Sequence, residues 1–340
     1  MTVQIIFNSG IWATERGVND DLKDLADELP KIVLRSRAES TVKEYSSAFN
    51  KWSAWAQQFN KRAIEPDPYD ISMYLVHLKK TSNSVAPITK AIAAIAWAHR
   101  MAGVTDPTQA SLVKSTSEGL KRLLAKPTER KQPVTSSLIK EIIDSQIKLD
   151  SELTSANLAS LRTVTMCLLA YTGFLRFNEL CNVRLGHLTF SDLCLKLLIP
   201  SSKTDVYRDG RYVVISATNS NYCPVQIMKK YISLAQIQSA DSLLFRGLTK
   251  IGKGYKLRDM NQPLSYTRVR ELVQDALRPL VGDVSKFGVH SFRAGGATAA
   301  AQAGVPDRLF KRHGRWKGEK AKDGYVKDNL SDLLSVSKAL

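Results

Sequence analysis

The chain has 340 residues, 44% of them apolar, which is enough for real cores and for two domains rather than one. Its net charge of +17, from 49 Lys and Arg against 32 Asp and Glu, favours a polyanionic partner, nucleic acid ahead of an anionic membrane surface. No run approaches the roughly 18 apolar residues of a spanning helix, MTVQIIFNSGIWATERG lacks the features of a secretory signal, and Cys167, Cys181, Cys194 and Cys223 show no zinc-ligand spacing, so a reduced, intracellular, non-membrane protein is expected.

Residues 1–34 read as a leader, acidic over 14–30, where Leu22, Leu25 and Leu29 recur at helical spacing and predict a short amphipathic helix packed on a neighbour. From Ser40, the residues Val42, Tyr45, Phe49, Trp52, Trp55 and Phe59 advance by three or four, and Thr41 with Glu44 offers a capping box. Further helices are predicted around Asp70–Lys80, Pro87–Met101 and Thr108–Leu124, giving a four-helix lobe over 35–125. Within it, ITKAIAAIAWAHRM carries Lys90, His99 and Arg100 among small residues. That composition suits close approach in a DNA major groove, or equally tight helix packing.

Residues 126–134, polar, basic and bracketed by Pro127 and Pro133, predict an extended connector. After Lys126 the chain holds 32 basic and 19 acidic residues, net +13, against +4 before it. The second lobe, 135–330, reads as mixed. Helices are predicted at Thr135–Lys148, Asn157–Tyr171 and Arg176–Asn182, then strands LKLLIP and RYVVIS around a polar turn holding Lys203, then helices at Pro224–Ala235, Ser265–Val281 and Ser291–Ala303. The basic run Lys250–Arg258 is either a solvated loop or a phosphate-tracking hairpin, and Arg268, Arg270 and Arg278 on the next helix are candidate DNA contacts. Residues 331–340 include SDLLSVSKAL, a short docking tail.

Six residues of this lobe form a set with one chemistry: Arg176, Lys203, His290, Arg293, Trp316 and Tyr325. Two guanidiniums can grip the non-bridging oxygens of a phosphodiester in fork geometry and stay charged. An imidazole titrating near neutrality can accept a phenolic proton, and an indole N–H can only donate. A lysine flanked by cations can protonate a leaving alkoxide, and a phenol can serve as nucleophile. Singly, each has an ordinary explanation: Arg176 with Glu179 as a surface ion pair, His290 as a helix-capping residue, Tyr325 as one of 11 tyrosines. His313, a rival donor, reads instead as a helix C-terminal residue stabilised by the dipole.

Taken together, TGFLRFNEL around Arg176 and Glu179, the turn lysine Lys203, HSFR from His290 to Arg293, and Trp316 nine residues before Tyr325 resemble the tyrosine recombinases, the phage-integrase and Cre-like family. SSKTDVYRDG further resembles recombinases of DIRS-like retroelements. The resemblance runs from about Ser40 to the C-terminus. It implies a mainly α fold with a small β-sheet, in which a helical core-binding domain and a mixed α/β catalytic domain form a C-shaped clamp on double-stranded DNA. It also implies strand exchange through a 3′-phosphotyrosine on Tyr325 without metal or cofactor, Glu179 orienting Arg176, and a tetramer on two DNA sites joined by C-terminal tails. The compartment would be nuclear in a eukaryote and cytoplasmic in a bacterium or phage. Two other functions fit part of the pattern: a type IB topoisomerase-like swivel, and a domesticated DNA-binding protein without turnover.

Overall fold

The computed structural model describes residues 2–13, 20–127, 129–148, 152–200, 210–326, 334 and 337–338. The chain forms two compact units, Met1–Thr128 and Glu129–Leu340.

The first unit is helical: α1 (Thr2–Phe7), α2 (Lys23–Leu34), α3 (Glu39–Gln58), α4 (Pro68–Thr81), α5 (Ala86–Ala102) and α6 (Ser111–Leu123). The aromatic periodicity of α3 buries Phe49 and Trp52 against Ile71, Tyr74 and Leu75 of α4 and Ile88, Ile95 and Trp97 of α5. Full burial of each such side chain contributes about 1.5–3 kcal/mol. Helix limits follow local chemistry. Asp67 accepts from the Tyr69 N–H at 2.8 Å with Pro68 at the first helical position, and α5 stops where Gly103 turns left-handed at φ 68°.

Several expectations are corrected here. The four helices predicted over 35–125 form as α3–α6, but the leader holds a further helix that was not predicted: α1 packs on α3 and α5 and inserts Ile6, fully buried, into their core. α3 starts at Glu39 with Ala38 as its N-cap, so Thr41 and Glu44 lie inside the helix and make no capping box. α2 forms at the predicted spacing, yet Leu22, Leu25 and Leu29 are all at least 50% exposed, so the expected neighbour is missing among the described residues. The small residues of α5 serve helix packing: Ala91, Ala94, Ala98 and Ala102 are buried.

The second unit contains α7 (Ser136–Gln146), α8 (Leu158–Thr172), α9 (Phe177–Cys181), β1 (Leu188–Phe190), β2 (Cys194–Ile199), β3 (Arg211–Ser216), α10 (Pro224–Leu234), β4 (Leu248–Ile251), β5 (Gly254–Leu257), α11 (Tyr266–Leu277), α12 (Val289–Gln302), α13 (Asp307–Gly314) and α14 (Glu319–Asp323). α8 is buried on every side from Leu161 to Ala170, as a central helix must be, with α7, α9, α10, α11 and α12 around it. The two predicted strands pair antiparallel as β2 and β3, in the register Leu195↔Ile215 and Leu197↔Val213 that puts four buried apolar residues on one face. β1, too short to stand out by pattern, adds to the free edge of β2. The basic run Lys250–Arg258 folds as the β4–β5 hairpin rather than an open loop. Lys203 lies outside the described residues, as does most of the tail 331–340. No helix among the described residues is long and apolar enough to cross a membrane.

Candidate active site

The site is assembled around one tight turn, Gly173–Phe174, that follows α8. Phe174 adopts φ 47°, an uncommon conformation for a bulky residue, and this turn directs its backbone carbonyls inward. α12 can approach it because Gly296 has no side chain: a Cβ there would sit 2.0 Å from the Tyr171 carbonyl oxygen. That approach carries Arg293, on α12, to the turn. Its guanidinium, fully buried, donates to the carbonyls of Phe174 and, at 2.7 Å, of Gly314.

Arg176 is the N-cap of α9 and remains partly exposed, with its side chain 18% accessible. Its backbone N–H donates to Glu179 Oε2 and its Nη1 to Oε1, both at 2.8 Å. Glu179 is thus placed to orient Arg176 directly. Its carboxyl is held below the usual range despite burial, because the Arg315 and Arg176 guanidiniums and the Arg176 N–H all favour the charged form.

His290 falls inside α12, which begins at Val289, and keeps an exposed edge. Partial burial of its ring, with Arg293 and Arg176 nearby, holds its pKa below the ordinary histidine value against the opposing pull of Glu179. The neutral imidazole is favoured, which is the form that can accept a proton. Burial, Arg176 and Arg315 push the Arg293 guanidinium down to about 10, still charged at neutral pH.

Trp316 and Tyr325 close over Arg293. The Arg293 Cζ lies 4.9 Å from the indole centroid and 4.8 Å from the phenol centroid, and the two rings are 5.6 Å apart. Gly314 makes this packing possible, since a Cβ there would meet the Trp316 ring at 1.9 Å. Two donors in this buried cluster, Trp316 Nε1 and Arg293 Nε, have no hydrogen-bond partner among the described residues. Buried donors are rarely left so, and unpaired ones often mark a position that a ligand fills. The structure therefore brings Arg176, Glu179, His290, Arg293, Trp316 and Tyr325 into one neighbourhood.

Arg315 was absent from the sequence-derived set. It is 2% exposed and left-handed at φ 57°, and it donates to the carbonyls of Gly173 (3.2 Å), His313 (2.9 Å) and Phe174 (3.0 Å) and to Glu179 Oε2 (2.7 Å). An arginine between Gly314 and Trp316 gave no periodicity or motif signal by which to find it. His313 lies in the last turn of α13, as predicted, but its Nε2 meets the Thr172 carbonyl at 2.8 Å, and burial with Arg315 and Arg293 nearby lowers its pKa, so it pins α13 to the end of α8 rather than gaining from the dipole as a cation.

The other DNA-contact candidates separate clearly. His99 is fully buried, with Nδ1 on the Ile95 carbonyl at 2.7 Å and Nε2 accepting from the Glu65 N–H at 3.0 Å, so it is a core residue and cannot reach a base edge. Lys90 pairs with Glu44 at 2.5 Å and Arg100 with Asp106 at 3.4 Å, both in exposed positions. Arg268 pairs with Glu271 at 3.1 Å and Arg278 with Asp275 at 2.8 Å on the surface of α11, where Arg270 is also exposed.

Comparison with known proteins gives a consistent result. Residues 134–329 match the phage integrase family. An integrase/recombinase xerD homolog of Selenomonas ruminantium is 25% identical over 299 residues, 86% of this chain and 82% of that protein. The recombinase cre of Escherichia phage P1 is 22% identical over 313 residues, 89% of this chain and 88% of that protein. Among solved structures, the XerH site-specific recombinase bound to palindromic difH substrate in a post-cleavage complex superposes with a TM-score of 0.57 at 13% identity, covering 99% of this chain and 92% of that one, a likeness of fold.

Proposed function

The chain belongs to the phage integrase family, and from that premise we propose that it is a site-specific DNA recombinase acting through a covalent 3′-phosphotyrosine. The observation that carries this reading is a largely buried excess of cation around a phenol. Among the described residues, Arg176, Arg293 and Arg315 face a single carboxylate, Glu179, and the Tyr325 ring lies 4.8 Å from the Arg293 guanidinium. Such an excess is costly when isolated and is offset when a phosphodiester anion enters.

The chemistry follows from the groups present. The Tyr325 oxygen attacks phosphorus, giving up its proton to neutral His290, while the phosphorus–O5′ bond breaks and Lys203 protonates the departing 5′ oxygen. Arg176 and Arg293 hold the non-bridging oxygens, and the unpaired Trp316 N–H donates to one of them. Because the phosphotyrosine conserves the energy of the broken bond, a 5′ hydroxyl from another strand reverses the step without cofactor. Arg293 now spends two N–H groups on backbone carbonyls and is covered by two rings, so phosphate entry requires Tyr325 to move off its face.

In this reading residues 35–125 are the core-binding domain and 135–330 the catalytic domain, joined by 126–134, with a tetramer assembled on two duplex sites. The test is direct. A site is selected from a random duplex library and rebuilt as a nicked suicide substrate; the wild type forms an adduct stable to SDS and Tyr325→Phe forms none. A chain that binds its selected site without adduct is a DNA-binding protein instead.

A further inference from the structure

We propose that Arg315 is a positioning residue for strand cleavage, which ties the segment carrying Trp316 to both arginines of the site. The inference rests on the recombinase reading and assigns a role to a residue outside its reacting groups. Arg315 reaches Arg176 through Glu179: its Nη2 donates to Oε2 at 2.7 Å, the same oxygen that takes the Arg176 N–H, while Oε1 takes Arg176 Nη1. It reaches Arg293 through Phe174, whose carbonyl accepts from Arg315 Nη2 at 3.0 Å and from Arg293 Nη1.

Two features separate this from ordinary core filling. First, the backbone is committed to it. A non-glycine residue at φ 57° and ψ 38° is uncommon, and here the left-handed turn ends α13 and sends the side chain inward to four oxygens on three separate segments, Gly173–Phe174, Glu179 and His313. Second, the charge arithmetic is uneven. Arg176 gives Glu179 a backbone and a side-chain donor, and Arg315 adds a second guanidinium to the same carboxylate. Its presence divides the carboxylate between two guanidiniums and leaves Arg176 with part of its charge for a phosphate. Without it, Glu179 is a buried anion held by Arg176 alone, which either draws Arg176 fully into the pair or takes up a proton and releases it. Only a forked, planar cation can span carbonyls and carboxylate at once, so lysine is a partial substitute.

The experiment measures single-turnover cleavage of the saturating suicide duplex by wild type, Arg315→Met, Arg315→Lys and Arg315→Met/Glu179→Gln, with duplex affinity alongside. Arg315→Met is expected to cleave at least tenfold more slowly with its dissociation constant within about threefold of wild type, and Arg315→Lys to recover part of the rate. Arg315→Met should also lose more rate than the wild type as pH falls, because burial then opposes ionisation of Glu179 with one of its two guanidiniums gone; the double variant should lack that added dependence. Cleavage by Arg315→Met within threefold of wild type overturns the proposal. So does a parallel fall in affinity and rate, which marks a residue needed only for folding. If Arg315→Met fails to fold, Arg315→Lys decides by the same criteria, and failure of both to fold also overturns it. If the wild type itself forms no adduct on its selected site, the recombinase reading fails first, and this inference with it.

Discussion

The guanidinium of Arg293 lies against the ring face of Tyr325, 4.8 Å from its centroid, with the Trp316 indole 4.9 Å away. Phenol and guanidinium therefore hold each other in place. Tyr325→Phe keeps the ring and removes only the phenolic oxygen. We expect unfolding free energy in urea within about 0.5 kcal/mol of wild type, whereas Tyr325→Ala, which also loses the cation–π contact, costs about 1 kcal/mol or more. Equal destabilisation by the two would show that the ring contact contributes nothing.

Trp316 has a buried N–H with no partner among the described residues. If that donor serves the transition state, Trp316→Phe slows cleavage roughly 10- to 100-fold, about 1.4–2.8 kcal/mol, and leaves duplex affinity close to wild type. Trp316→His, which keeps a donor, restores part of the rate. Single-turnover cleavage decides it, and a Phe variant as fast as wild type would leave the unpaired N–H without a role.

What the sequence made legible and what it hid have physical reasons. Arg176, His290, Arg293, Trp316 and Tyr325 stood out because, in order and spacing, they match the motifs of the tyrosine-recombinase family, and strands β2 and β3 because alternation reports a one-sided face. Arg315 was hidden because its role depends on a left-handed backbone and on carbonyls 141 and 142 residues away in the chain, at Phe174 and Gly173, which leave no trace in spacing. His99 was misread for a related reason. On a helix rich in alanine, polar residues look like contacts until their burial is known, and its ring is satisfied internally by Ile95 and Glu65.

Stability should fall on mild acidification. Burial, the largest cause in each case, holds His99, His290 and His313 below the ordinary histidine value. Near and below pH 6.5 the unfolded chain therefore binds more protons than the folded one. The sign is fixed by that difference: stability rises with pH through this window and is lost as pH falls below the unfolded value. The urea midpoint should drop between pH 7 and pH 5, above the range where carboxylates protonate, and His313→Gln should flatten the drop. A midpoint that rises on acidification would contradict the burial of these rings.

The surface of α11 gives the sharpest test of where DNA lies. Arg268, Glu271, Asp275 and Arg278 follow one another at helical spacing on one stripe, and the two arginines pair with the two carboxylates at 3.1 and 2.8 Å, so that stripe is neutral. Arg270, exposed, points about 200° around the helix from Arg268. A phosphate gains little from an arginine already paired, because the pair must open and a bare carboxylate is left beside the backbone. Arg270→Ala should accordingly lower the slope of log affinity against log salt by about 0.9, one phosphate contact, while Arg268→Ala and Arg278→Ala leave it within error of wild type. Fluorescence anisotropy on the selected duplex at several salt concentrations measures all three. A reduced slope for Arg268→Ala or Arg278→Ala, with Arg270→Ala unchanged, would place the duplex along the paired stripe and show that both ion pairs open to receive it.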